Sequence, residues 1–244
     1  MLGLGWKGRE FIVMPITLLI IMVLSYITYK LYKNDKNDRE LPLQAVTIII
    51  LVLEVAKQIR NIISGFDPWN LPLHYCSLFV FFFPFAQFGN EKSRRFFKPV
   101  SFCCALTVSV ALYICPSAIM GHACENILYK FSYFHTFFFH QLVVLYTFLS
   151  IVLNDYIPKK ENYKSVSTVL TVYSIIAIVM CYLLDFNYCN YLYNSLKPVD
   201  EIRLEIGQFL YSVAIFIIVV GGTALVSYLY YFIYNKIINK KRID

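Results

Sequence analysis

Long apolar stretches separated by short polar ones constrain this chain more than any other feature. Seven such stretches occur, at 11–32, 41–57, 71–88, 97–115, 131–153, 165–184 and 207–234. Each approaches the roughly 20 residues that a helix needs to cross the hydrocarbon core of a bilayer. Irregular backbone in lipid would leave amide groups unpaired, so each stretch must be helical. We therefore expect an all-α fold, a single transmembrane domain over residues 1–244 that forms a bundle of about seven membrane-spanning helices.

The composition excludes a water-soluble domain. Hydrophobic residues make up 59% of the 244 residues and charged residues 15%, with a mean hydropathy of +0.60. The first apolar stretch is too long for the apolar region of a secretory signal and is not followed by a small-residue cleavage site. The chain is thus predicted to be a multi-pass protein of the cell membrane that retains its first span.

The distribution of basic residues predicts an orientation. Of the 22 Lys and Arg residues, 15 lie in the segments 30–40, 92–98, 159–164 and 236–242, and 7 lie in the alternate segments. Basic residues collect in cytoplasmic loops, so the N-terminus is expected outside and the C-terminus in the cytoplasm. The net charge of +7 is explained by basic loops that face anionic lipid, and no nucleic-acid partner is expected.

Polar, reactive residues interrupt the third apolar stretch near its start. The run LPLHYCS, residues 71–77, contains His74 and Cys76, and the fifth stretch contains His135 and His140. Ionisable groups within a membrane are costly and usually mark function. With the predicted orientation, all four lie in the outer half of the bundle. Each histidine could instead be an interhelical hydrogen-bond partner, and for the deeper His140 the alternative is a general base.

The second stretch carries a polar face at its outer end. Glu54, Gln58 and Asn61 are spaced i, i+4 and i+7, which places them on one side of a helix. Glu54 could orient a histidine, or it could form a structural ion pair with Lys57. The sixth stretch ends outside at Asp185, so this carboxylate is a second candidate for orienting a histidine.

The cysteines do not predict a metal centre. The seven cysteines include no C-x-x-C pair, and a buried cysteine in a helix is usually a small apolar side chain. Cys124 and Cys189 lie in predicted outer loops, and whether they are bonded stays open at this point. His74, Cys76, His135 and His140 lack the usual zinc-ligand spacings, so no metal and no cofactor are expected.

Helical geometry separates His74 from Cys76. Residues two apart in a regular helix point about 200° away from each other, unless Pro72 makes the first turn irregular. A base for Cys76 would therefore more readily come from His135 or His140. A cysteine with a histidine base is the minimal nucleophile for acyl transfer, because the base removes the thiol proton and the thiolate attacks a carbonyl.

Three motifs carry a resemblance to a known family. They are LPLHYC at 71–76, the histidine of FFFH at 137–140, and NYLYNSLKP at 190–198. In their order and spacing the chain resembles the bacterial YwaF family of seven-span membrane proteins, which is similar in turn to animal transmembrane protein 164. The animal relatives are described as acyltransferases that move a fatty acyl chain between phospholipids.

The resemblance implies a lipid acyltransferase or acyl hydrolase, with a membrane phospholipid or lysophospholipid as substrate. Cys76 would be the nucleophile, His140 or His135 the base, and His74 a positioning residue. The residues expected to orient the histidine or hold the lipid headgroup are Glu54, Asp185, Asn190, Tyr191 and Lys197.

Two other classes of function fit the same polar cluster. A small-solute transporter, or the membrane-embedded binding subunit of one, could use it to hydrogen-bond a solute. A structural or assembly protein could use it to hold helices together. Among the three classes, the enzyme alone requires a reactive Cys76.

Overall fold

The computed structural model describes residues 6, 8–34, 38–194 and 197–241. Every regular element within them is helical, as the all-α prediction requires. The α-helices are α1 (Glu10–Tyr32), α2 (Leu41–Ile63), α3 (Phe79–Gln87), α4 (Glu91–Ile114), α5 (Pro116–Met120), α6 (Phe131–Val152), α7 (Asn162–Leu184), α8 (Lys197–Ile206) and α9 (Gln208–Lys241). Short 3₁₀ helices lie at Pro68–Asn70, Tyr75–Leu78 and Tyr188–Asn190.

Five of the described helices are long and apolar enough to cross a membrane: α1, α4, α6, α7 and α9. The outermost of them expose large apolar side chains, including Leu31 and Phe209, which are 71% and 78% exposed. Such surfaces are stable against lipid and unfavourable in water. The chain is therefore a multi-pass membrane protein. The count of seven spans and the orientation of the termini stay predictions.

The third apolar stretch, 71–88, is helical over only part of its length. His74 is extended, with φ −79° and ψ 151°, and helical structure begins only at Tyr75. The helical part, Tyr75–Gln87, rises about 20 Å at 1.5 Å per residue, which is short of a full hydrocarbon core. The proline at position 72 disfavours helix in the residue before it. Residues 64–74 form a loop that contains one short 3₁₀ helix, Pro68–Asn70.

Contacts between distant residues define two ends of the bundle. At one end, Ser117 donates a hydrogen bond to Glu10, and Tyr188 donates one to the carbonyl of Pro68. This end also holds the histidine-containing loop, and we name it the His74 end. At the opposite end Lys98 contacts Glu40 at 3.0 Å, and we name this the Glu40 end. The long helices run between the two ends.

Helices α4 and α6 form the centre of the bundle, because more than half of the most apolar part of each is buried. The short α3 packs on α2 and α4, and its Phe83 stacks on Tyr146 of α6 with ring centres 3.7 Å apart. Helix α7 packs mainly on α9 and also on α4. The LPLHYC loop therefore enters the bundle beside its most buried helices.

Candidate functional site

The LPLHYC segment leads from an irregular turn, in which His74 is extended, into a 3₁₀ helix that begins at Tyr75. The Nε2–H of His74 donates a hydrogen bond to the carbonyl of Trp69 at 3.1 Å. The imidazole packs edge-on against the rings of Trp69, at 4.4 Å, and Tyr188, at 5.3 Å. A carbonyl oxygen can only accept, so this bond fixes the proton of His74 on Nε2. His74 is thereby held within the loop, away from the centre of the bundle.

The polar face of α2 holds this loop in place. Gln58 donates from Nε2 to the carbonyl of Asn70 at 2.7 Å. Asn61 donates to the carbonyl of Asp67 at 3.1 Å and accepts from the amide of Asp67 at 3.0 Å. These bonds satisfy backbone groups of an irregular segment that packs into the bundle. The i, i+4, i+7 face predicted from the sequence is thus an anchor for the loop.

Glu54 lies at the centre of a buried charged group. Its carboxylate is 3.0 Å from the Lys57 ammonium, accepts from Gln58 at 2.6 Å, and lies 3.3 Å from Nε2 of His135. Glu54 is 3% exposed and His135 is 6% exposed. The two alternatives stated for Glu54 are therefore not exclusive, because it contacts both Lys57 and a histidine. That histidine is His135.

His140 is buried and uses only one of its ring nitrogens within the described residues. Its Nδ1 donates to the carbonyl of Thr136, one turn earlier in α6, at 2.6 Å. Its Nε2 is buried and has no hydrogen-bond partner among them. Because the carbonyl must accept, the proton of a neutral His140 lies on Nδ1 and Nε2 carries a free lone pair. Nε2 of His135 is among the other buried side-chain atoms that have no hydrogen-bond partner within the described residues.

Lys57 connects the histidines electrostatically. It lies close enough to act on both His74 and His140, and it pairs directly with Glu54, which contacts His135. The Glu54–Lys57 ion pair thus lies directly beside His135, and the charge of Lys57 also acts on His74 and His140.

Cys76 faces a different set of neighbours. It is half-buried, and its electrostatic neighbours include Tyr173 on α7 and Cys189 in the following loop. Tyr173 donates from its hydroxyl to the carbonyl of Leu73, and this hydroxyl lies 2.8 Å from the Cys189 sulfur. Neither ring nitrogen of His140 is hydrogen-bonded to the Cys76 thiol. His74 packs on Trp69 and Tyr188, whereas Cys76 lies near Tyr173 and Cys189.

The segment after α7 contains the other predicted site residues. Asp185 and Asn190 are exposed and both have left-handed backbone conformations, with φ of 54° and 60°. Tyr191 is wholly buried, and its carbonyl accepts from Gln208 at 2.9 Å. Lys197 is exposed and lies 3.7 Å from Glu201. Residues 195 and 196 of the NYLYNSLKP motif lie outside the described part of the chain.

None of the seven cysteines, all of which lie in the described residues, forms a disulfide bond. The pairing of Cys124 with Cys189 is absent, because Cys124 packs at 4.0 Å on the sulfur of Met14, whereas Cys189 lies against Tyr173. Among the described residues, no group of three or more His, Cys, Asp or Glu side chains is arranged to hold a metal ion.

A comparison with known families finds that the TMEM164 family model matches residues 5–234. The chain belongs to the TMEM164 family. This match covers nearly the whole chain and supports the relation to transmembrane protein 164 that the motifs predicted. The likeness to the YwaF family stays a prediction. No curated protein and no solved structure matches the chain.

In this TMEM164-family chain, several residues of the site were not predicted from the sequence. Trp69, Tyr173 and Tyr188 surround the LPLHYC loop with ring contacts and hydroxyl donors. Each is one aromatic among the 43 that the sequence contains (20 Tyr, 21 Phe and 2 Trp), so its type alone carries no signal. The motif N-Y-C-N at 187–190 does mark a turn, since asparagine favours left-handed backbone.

Proposed function

We propose that this TMEM164-family protein transfers acyl chains between membrane phospholipids, with Cys76 as the nucleophile and His140 as the general base. The observation that carries the proposal is the buried, unpartnered Nε2 of His140. A general base needs a free lone pair in a position that excludes competing water. His140 provides both, because Nδ1 is committed to the Thr136 carbonyl and the ring is 6% exposed.

The side chains that surround each ring favour His140 over His135 as the base. Glu54 lies 3.3 Å from Nε2 of His135, so that ring faces a carboxylate, although neither histidine's Nε2 makes a hydrogen bond within the described residues. His140 is buried, and burial disfavours a charged imidazole and so favours the neutral form that a base requires. We assign His135 and Glu54 to positioning, and His74 to the shape of the loop that presents Cys76.

The proposed reaction proceeds through a thioester. Nε2 of His140 accepts the thiol proton as the Cys76 sulfur attacks the ester carbonyl of a phospholipid. The carbon–oxygen bond breaks, and the imidazolium returns the proton to the departing lysophospholipid oxygen. A second lysophospholipid hydroxyl then attacks the thioester carbonyl, gives its proton to His140, and releases the Cys76 thiolate, which recovers that proton. With water as the acceptor, the same cycle is acyl hydrolysis.

Lipid binding must complete this geometry, because the Cys76 thiol and His140 are not hydrogen-bonded in the structure. Catalytic hydrogen bonds are often long before substrate binds and shorten in the substrate complex. Lys197 is exposed, and its only ion pair in the described residues is a 3.7 Å contact to Glu201. A headgroup phosphate could replace that weak pair. Asp185, Asn190 and Tyr191 are proposed to shape the same region.

The decisive experiment is acyl transfer by the full chain in lipid nanodiscs that contain labelled phosphatidylcholine or phosphatidylglycerol and a lysophospholipid. We expect labelled acyl on the wild-type protein, released by hydroxylamine, and none on Cys76→Ser. The matched control is Cys115→Ser, because Cys115 is also half-buried and lies at the same end of the bundle. This variant should keep wild-type labelling and turnover.

The two histidines provide the second arm. General-base catalysis contributes about 10²–10⁴-fold, so His140→Ala should lose that factor in turnover. His135→Ala should retain most of the turnover at saturating lipid and lose stability instead. Absence of both label and turnover across several lipids would overturn the acyltransferase proposal and favour the binding or transport class. Equal labelling of Cys76→Ser and wild type would exclude Cys76 as the nucleophile.

A further inference from the structure

A second candidate site lies at the Glu40 end, far from the histidines. An open groove of about 570 Å³ runs along the corner between α3 and α4 and reaches Ser165 at the start of α7. Phe85 and Phe96 form its apolar wall and are 50% and 39% exposed. Lys92 and Arg95 form its basic rim. The groove thus combines exposed aromatic surface with positive charge at the end of a membrane helix.

A tight corner between the helices shapes this groove. Asn90 caps α4 by accepting from the amide of Ser93 at 2.9 Å, and Ser93 donates from its hydroxyl to the carbonyl of Phe85 at 3.2 Å. Gly89 permits the close approach, because a Cβ at this position would lie 2.4 Å from the Phe85 carbonyl oxygen. The corner fixes Phe85 directly beside the first turn of α4.

The basic residues of this turn divide into two pairs with different partners. Arg94 and Lys98 face the bundle, where both contact Glu40. Lys92 and Arg95 are exposed and line the groove. Arg95 contacts Glu91, but both side chains are about 80% exposed, so this pair contributes little to stability.

No ion pair in the described residues involves Lys92. The positive charge of the inner pair is therefore neutralised by protein, whereas the outer pair is available to a ligand.

We infer that this groove binds an anionic phospholipid, with the headgroup phosphate between Lys92 and Arg95 and an acyl chain along Phe85 and Phe96. Basic pockets between membrane helices are suited to anionic headgroups, and aromatic rings at helix ends lie at the depth where headgroup and chain meet. The inference is independent of the chemistry at Cys76.

The test places a fluorescent reporter in the groove. Phe96→Trp adds a tryptophan there, and the two native tryptophans, Trp6 and Trp69, lie at the opposite end, where Trp69 packs on His74. The full chain is reconstituted in nanodiscs that contain either brominated phosphatidylglycerol or brominated phosphatidylcholine. Quenching is corrected with protein that lacks the added tryptophan. An anionic site should prefer phosphatidylglycerol by about fivefold for each basic residue engaged.

A charge variant and a matched control complete the test. Lys92→Gln with Arg95→Gln, in the Phe96→Trp background, should abolish the preference. Lys30→Gln with Lys236→Gln removes the same charge from exposed positions on α1 and α9 at the same end and should retain it. Equal quenching by the two lipids, or equal loss of preference in the control variant, would overturn the proposed site.

Discussion

Lys98 connects three helices at the Glu40 end and provides the strongest stability prediction. Its ammonium lies 2.6 Å from the Asp155 carboxylate and 3.0 Å from the Glu40 carboxylate. The Asp155 side chain is 4% exposed and that of Lys98 is 16% exposed. Gln87 donates to the second oxygen of Asp155 at 3.3 Å and to the Tyr146 hydroxyl at 2.7 Å. Lys98→Met therefore leaves a buried carboxylate with a single neutral donor.

The expected cost follows from that burial. Removing one partner of a buried ion pair costs about 3–5 kcal/mol, because the remaining charge is left unpaired. The lower limit, about 3 kcal/mol, applies here, since Lys98 is partly exposed and Glu40 keeps its contact with Arg94. The control is Arg95→Met on the same helix, which breaks only an exposed pair and should cost less than about 1 kcal/mol.

The assay is the free energy of unfolding of the full chain, measured by denaturing-detergent titration in mixed micelles and followed by loss of helical circular dichroism. Lys98→Met combined with Asp155→Asn should be less destabilised than the sum of the single variants, because the second change removes the stranded charge. Equal stability of Lys98→Met and Arg95→Met, or strict additivity in the double variant, would refute this account of the network.

Three further predictions concern other parts of the molecule. Burial alone would raise the pKa of Glu40, but Lys98 and the neighbouring Arg94 lower this pKa below its ordinary 4.5. The free energy of unfolding should therefore decrease as the pH drops below about 5. Glu40→Gln should weaken this pH dependence in thermal unfolding measured between pH 3 and 7. Asn187→Ala removes a buried amide that bonds two backbone groups of its loop, so it should lower the free energy of unfolding by about 2–3 kcal/mol and increase hydrogen exchange in residues 187–193. Tyr173→Phe removes the donor to the Leu73 carbonyl and should cost about 1 kcal/mol, with faster proteolysis of residues 64–74 and unchanged cleavage elsewhere.

The sequence predicts the helices well because their physical requirement is local. A run of apolar residues of the right length must be helical in lipid, and the five candidate spans lie where hydropathy predicts them. The start of the third apolar stretch is not helical, because apolar length is not the only condition for helix formation. Hydrogen bonds from Gln58 and Asn61 stabilise the non-helical loop that precedes this helix and contains the extended His74. These bonds join two segments whose hydropathy is evaluated independently.

The Glu40 network was not predicted for a related reason. Glu40, Lys98 and Asp155 lie about 57 residues apart in sequence, and each occurs in a segment whose charges suggested only a basic loop. The number of basic residues in each loop determines the orientation of the chain in the membrane. Which of these charges form pairs depends on which helix ends lie close together. That information resides in the packing of α2, α4 and α6, which no single segment contains.

The two histidines of α6 differ in their neighbours, although the sequence alone does not distinguish their roles. His135 and His140 are five residues apart on one helix and are equally exposed, at 6%. What distinguishes them is the position of Glu54, which lies 3.3 Å from Nε2 of His135; neither Nε2 makes a hydrogen bond within the described residues. We therefore propose His140 as the acceptor of the Cys76 proton, because the Glu54 carboxylate lies beside His135.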